Sequence, residues 1–241
     1  MSVNACAEIV EKGDPERFRA VMASPVEARP VLFSLFAFNV EVARAPWVTQ
    51  EPMIAEMRLQ WWRDAIEEIG QGGPVRKHEV VDALAEVLDA EGAAELDALI
   101  VARRWDIYSD AFEDPAHLDD YINATSGNLL WTAARLLGAR DPDPIRDYSY
   151  GIGVANLLRA VPELEDRGRK PLVDGTAQGV QGLAEKGLSK MRQPVPKVVK
   201  TAGFLARPTL RKAIKTPTAV GNDQLMLGPV AQGWALLRAA L

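Results

Sequence analysis

Carboxylates four residues apart are the first feature of this chain with chemical reach. Asp64/Glu68, Asp82/Glu86 and Asp106/Asp110/Asp114 all have that spacing. On a helix it places the groups on one face, where their oxygens suit a hard divalent cation. The first two pairs fall on the polar sides of amphipathic patterns and read as solvated helix faces. The run "DIYSDAFEDPAHLDD" (Asp106–Asp120) is denser and spans one helix end and the next helix start. Acids there favour a helix N-terminus, with metal or partner binding as the alternative use. His78 and His117 have no Cys or His at ligand spacing, so a zinc site or a His-based triad lacks support. "GIGVAN" (Gly151–Asn156) lies inside a helical pattern with no strand before it. It reads as a closely packed helix rather than a dinucleotide loop.

Helices must position all of these groups. Asp14 before Pro15, and Ser24 before Pro25, are N-terminal signals; Pro30 marks either a bend or the true start of the second of these helices. Pro52–Gly70 begins on proline and ends on glycine, with Ile54, Met57, Trp61, Ala65 and Ile69 as an apolar stripe. Further helices are expected over His78–Ala90, Ala93–Asp110, Pro115–Leu137, Pro144–Val161, Thr176–Met191, Val195–Leu205, Pro208–Lys215 and Pro229–Leu241. No alternating β-branched run with a hairpin turn occurs. The expectation is an all-α fold in a single domain over residues 1–241.

Bulk properties exclude several functions. With 241 residues and a single cysteine, Cys6, the chain has length for a sizeable core and no disulfide framework. No run reaches the length of a membrane span, and no basic start precedes an apolar stretch, so neither a transmembrane segment nor a secretory signal is expected. The net charge of −5 argues against general nucleic-acid binding. The charge is uneven, however: Lys186–Lys215 carries nine Lys or Arg and no acid. Such a segment serves as a solvated face or meets anionic lipid or an acidic partner. Lys197, Lys200, Arg211 and Lys212 are the candidate surface residues, on a cytoplasmic protein peripheral to the inner membrane.

Four blocks, "LFSLFAFNVEVARA", "EPMIAEMRLQWWRDAIEEI", "YINATSGNLLWTAARLLG" and "YGIGVANLLRAVPELEDRGRKPL", occur in this order. Together they resemble the squalene/phytoene synthase family, most strongly from Arg17 to Leu172. The resemblance implies the isoprenoid synthase fold: helices around a central cavity in which two acidic motifs hold Mg²⁺ and the ions grip a diphosphate. Here the first motif keeps Phe36, Ala37 and Phe38. Its acidic positions fall on Ala43 and Trp47, with Arg44 at a further commonly acidic place. Glu41 stands two residues off, which turns it about 200° around a helix. The second motif keeps Asn156, Arg159 and Glu163, but Ala160 and Leu164 replace acids. Glu165 and Asp166 follow one and two places late, and Pro162 is expected to interrupt the helix, where a change of register brings Glu165 back but not an acid at Ala160.

Ionising an allylic diphosphate needs concentrated positive charge at the leaving group, which the metal cluster supplies. The resemblance without those ligands implies a non-catalytic lipid-binding or membrane-complex assembly protein with no cofactor. It is closest in flavour to the family branch resembling the mitochondrial assembly factor for respiratory complex I. Its partners would be an isoprenoid lipid, an anionic membrane surface or a membrane protein complex. The alternative is a divergent Mg²⁺-dependent prenyltransferase that condenses farnesyl or geranylgeranyl diphosphate. In either case Phe36, Asn39, Arg58, Tyr121, Asn156, Arg159 and Glu163 are the candidate ligand-binding residues. Tyr121 and Gly127 match the family's central helix, and guanidinium groups bind phosphate without metal.

Overall fold

The computed structural model describes residues 2–108 and 110–241. Among them the chain forms thirteen α-helices and no strand. They are α1 (Ser2–Gly13), α2 (Pro15–Met22), α3 (Arg29–Arg44), α4 (Pro52–Gly70), α5 (Glu79–Ala85), α6 (Ala90–Arg103), α7 (Pro115–Ile122) and α8 (Asn128–Leu136). The remainder are α9 (Pro142–Asp166), α10 (Ala177–Lys190), α11 (Lys197–Ala202), α12 (Ala206–Lys215) and α13 (Pro229–Ala240). They gather into two compact units: residues 1–108 with 128–140, and residues 109–127 with 141–241.

Proline and side-chain caps set many of the starts. The Asp14 carboxylate accepts from the Arg17 N–H at 3.0 Å, and Asp114 accepts from the His117 N–H at 2.8 Å. Each satisfies a backbone donor that the first turn leaves without a partner. Several expectations shift, among them the helices expected over His78–Ala90 and Ala93–Asp110, which run over Glu79–Ala85 and Ala90–Arg103. The helix α1, which buries Cys6 and Val10, was not foreseen. The helix after Ser24 starts at Arg29 with Pro30 in its first turn, while the Ser24 hydroxyl donates to the Ala20 carbonyl at 2.9 Å. The stretch from Pro115 is two helices joined by a wide π turn over Asn123–Gly127. Finally, α9 runs through Pro162 to Asp166. Proline forfeits one intrahelical bond there but leaves the last turn in register.

In the first unit, α3 supplies Leu32, Phe33, Leu35, Phe36 and Phe38 to the core. The buried stripe of α4 is Ala55, Leu59, Trp62, Ala65, Ile66 and Ile69. The expected stripe holds at Ala65 and Ile69 but not in the first half of the helix: Ile54 and Met57 are 40% and 66% exposed, and Trp61 is only half-buried. Burial also pushes the Cys6 thiol up to about 11, which keeps it protonated and unreactive.

Asp89 caps α6, accepting from the Gly92 N–H at 2.9 Å, and pairs with Arg135 of α8. The hydrogen bonds from Arg135 hold the Asp89 carboxyl below the usual carboxylate range. A depressed folded-state pKa gives stability that is complete above the unfolded value, about pH 4, and is lost as pH falls through the folded one. Asp89→Ala is expected to cost about 1 kcal/mol at neutral pH. Arg135→Met should flatten the acid-side loss, read as the urea midpoint from pH 5 downward.

The second unit is organised on α9. A Cβ on Gly153 would meet the Ile122 side chain at 2.5 Å and Ser126 Cβ at 3.0 Å, so this glycine lets α9 approach the π turn. The Ser126 hydroxyl donates to the Ser149 carbonyl at 2.9 Å across the same contact. The close-packing reading of "GIGVAN" holds. Nearby, the Tyr150 hydroxyl donates to Asp119 at 2.6 Å, while Lys186 and Lys190 lie over its ring. Burial, reinforced by the Asp119 bond, raises the pKa of this phenol.

Candidate functional site

The first motif lies on α3, and its aromatic residues serve the core. Phe36 is buried beneath the Arg17 guanidinium, 5.0 Å from the ring centroid. Phe38 meets Trp62 edge to face at 5.5 Å. Asn39 is buried, and the last turn continues into a tight turn over Ala45–Trp47. Glu41 is half-buried and pairs with Arg44 at 3.6 Å.

That end of α3 borders a cleft of about 260 Å³ lined by Glu41, Arg44, Ala45, Val48, Arg58, Trp61, Trp62 and His78. The cleft joins Arg58, an expected site residue, to three residues that the sequence reading left out of the site: Arg44, Trp62 and His78. The Nδ1 atom of His78 accepts from the Val80 N–H at 3.2 Å as the cap of α5, which puts the ring proton on Nε2. Two guanidiniums against one carboxylate, with indole walls, suit an anion attached to an apolar or aromatic body. Trp61 is held in turn by the Arg76 guanidinium, 5.1 Å from its ring centroid, and Arg76 is clamped by Glu68 at 2.7 Å and Asp64 at 3.5 Å. The expected solvated carboxylates of α4 thus fix one wall of this cleft.

In the second unit, α9 presents Asn156 exposed and Arg159 half-buried, with Arg159 Nη2 3.3 Å from the Met226 sulfur. Glu163 is exposed and pairs with Arg167 at 2.7 Å. Glu165 lines a second pocket of about 300 Å³ with Val161, Leu172, Val180 and Val220 among its walls. Tyr121 is half-buried and meets Phe112 of the preceding loop edge to face at 5.5 Å. Beside Gly127 a Cβ would come no nearer than 3.9 Å to any neighbour, so that position has room to spare.

Among the described residues, no three His, Cys, Asp or Glu side chains come together in a way that could hold a metal ion. Three of the six acids in the dense run are spent on structure: Asp106 pairs with Arg103 at 3.0 Å, Asp114 caps α7 and Asp119 binds Tyr150 and Lys186. The basic segment divides likewise. Lys186 and Lys190 turn inward to Asp119 and Asp147, and Arg207 donates to the Met191 carbonyl. Lys197, Lys200 and Arg211 are exposed, while Lys212 is half-buried with its Nζ 3.4 Å from the Met226 carbonyl.

Comparison with known proteins assigns the chain to a family. The family model described as Squalene/phytoene synthase matches residues 10–234. The chain belongs to the squalene/phytoene synthase family. A Drosophila melanogaster relative, named NADH dehydrogenase (ubiquinone) complex I, assembly factor 6 homolog, is 30% identical over 196 residues, covering 78% of this chain and 58% of that protein. The Homo sapiens protein named assembly factor 6 of the same complex is 27% identical over 161 residues, 65% of this chain and 48% of its own. The chain thus spans about half the length of the curated relatives it matches. A crystal structure of a dehydrosqualene synthase in complex with ligand superposes with a TM-score of 0.78 at 16% identity, covering 99% of this chain and 95% of that one. The squalene/phytoene synthase-like chain therefore has the isoprenoid synthase fold, as its sequence blocks implied. No helix among the described residues is long and apolar enough to cross a membrane.

Proposed function

We propose that this family member keeps the isoprenoid synthase fold without the coupling reaction and acts as a binding or assembly protein at a membrane complex. The observation that carries this reading is that two of the acids remaining near the motifs, Glu41 and Glu163, are already paired, while Glu165 lines a pocket with Val161, Leu172 and Val180. Glu41 is matched by Arg44 and Glu163 by Arg167, while Ala43, Trp47, Ala160 and Leu164 hold the other positions. Alanine, tryptophan and leucine offer no oxygen to a hard cation, and an arginine beside a carboxylate competes for the ligand. Relatives named as complex I assembly factors support the same reading. Within the first unit Arg58 is the residue we assign to any remaining contact with a phosphate-bearing lipid; within the second, Arg159, Asn156 and Tyr121 are the candidates.

The test is incubation of the purified protein with farnesyl and geranylgeranyl diphosphate, with and without Mg²⁺, measuring diphosphate release and bound substrate together. No release above the protein-free control is expected at either condition. Mg²⁺-dependent release that disappears in Glu163→Ala would instead establish the divergent prenyltransferase. The cleft beside Arg44 and Arg58 favours a second, narrower reading, in which a prenyl phosphate is held without metal. That reading requires binding that survives chelator and weakens in Arg58→Ala.

A further inference from the structure

The helix α13 is built the wrong way round for a surface helix. Val230, Trp234 and Leu237 are 76%, 61% and 49% exposed. At 100° per residue they fall within an arc of about 60°, one continuous apolar stripe facing outward. The opposite face, Gln232, Ala235, Leu236 and Ala239, is half-buried, and no residue of α13 is fully buried. The polar Gln232 sits on the inner side, where its amide donates to the Leu227 carbonyl at 2.9 Å. An ordinary amphipathic helix would place the tryptophan inward and the glutamine out.

Charge argues for what covers that stripe. α13 packs against α11, which exposes Lys197 and Lys200. Lys212 of α12 reaches the Met226 carbonyl, three residues before α13 begins, and Arg238 flanks the stripe on α13 itself. From Lys186 to Leu241 the only acid is Asp223. An apolar stripe centred on tryptophan and bordered by cations matches the boundary between lipid headgroups and acyl chains. A second copy of the chain, by contrast, would bring the same cations against each other.

We propose that α13 docks on an anionic bilayer surface, with Val230, Trp234 and Leu237 entering the headgroup boundary while Lys197, Lys200, Arg211 and Lys212 meet the lipid charge. The inference deepens the assembly reading above and rests on it for its membrane context.

The experiment is flotation of the intact chain with phosphatidylcholine vesicles, with and without phosphatidylglycerol. Binding is expected only with phosphatidylglycerol and should fall as salt rises. Bromine-labelled acyl chains should quench the indole emission of the native protein but leave that of Trp234→Phe unchanged. Reversal of Lys197, Lys200, Arg211 and Lys212 to Glu should weaken binding on the order of a hundredfold. Trp234→Ser with Leu237→Ser should weaken it about tenfold. These side chains lie largely at the surface, so the melting temperature of both variants should stay near native. No binding, binding indifferent to Trp234, or equal binding to neutral vesicles overturns the proposal. Dimerisation lost in the Trp234 variant would do the same, placing a second copy on the stripe. Diphosphate release in the assay above would sink the assembly reading and leave the vesicle result standing; absent vesicle binding would sink this inference alone.

Discussion

Trp62→Ala is expected to destabilise the protein by about 3–5 kcal/mol, whereas Trp61→Ala, one residue earlier, should cost about 1–2 kcal/mol. Trp62 is 5% exposed and meets Phe38 at 5.5 Å, Trp61 at 5.0 Å and His78 at 5.3 Å, each edge to face. Its removal leaves a void between α3, α4 and the start of α5 that three rings cannot collapse into without losing one another. Trp61 is half-buried and keeps one face for the Arg76 guanidinium, so its truncation forfeits a partly solvated contact. Thermal unfolding reads the difference directly, at about 2–4 °C per kcal/mol for a chain of this size. A larger cost at Trp61 than at Trp62 would mean that α4 turns the other tryptophan to the core.

That pair also shows what the sequence carries and what it withholds. Helix starts were legible because Asp14–Pro15, Pro52 and Pro229 act through their own backbone, with no need of a distant partner. The face buried by the first half of α4 was not, because Ile54/Met57/Trp61 and Ala55/Leu59/Trp62 are both sound helical stripes, with centres about 130° apart. Only packing on α6, with the Phe38–Trp62 ring contact to α3, chooses between them. The continuation of α9 through Pro162 is a similar case. Proline's local cost is fixed, but Arg167 N–H still reaches the Glu163 carbonyl at 3.2 Å and closes the final turn.

Of the candidate site, the sequence names single residues and not their company. Arg58 is plain in one dimension, as a cation inside one of the four ordered blocks. The cleft beside Arg44 and Arg58 is not: its far wall comes from His78, whose role as the cap of α5 depends on a loop returning beneath Trp61 and Trp62. The outward stripe of α13 could have been found from the spacing of Val230, Trp234 and Leu237. What the sequence could not supply was which face of that helix meets α11.

The second large effect is expected at Gly151, where valine should cost about 3 kcal/mol. A Cβ there would lie 2.7 Å from the Gly187 carbonyl oxygen and 2.4 Å from Met191 Cγ. The methionine is flexible and can swing aside, but the carbonyl is helix backbone, so α9 and α10 must separate. The contact is reciprocal, since a Cβ on Gly187 would stand 3.2 Å from Val154 Cβ. Against this strain stands the propensity gained by removing a helical glycine, up to about 1 kcal/mol. Gly182→Ala isolates that gain: it lies on the exposed side of α10 with nothing within 4 Å, and should raise stability by about 0.5–1 kcal/mol. Opposite signs at the two glycines would therefore measure helix contact against helix propensity in one element pair. Because α9 carries Asn156, Arg159 and Glu163, the same separation would displace the second motif as a block. A Gly151 variant that keeps native stability would show that these helices do not meet at their glycines, and with it that the second motif is not held where α10 now fixes it.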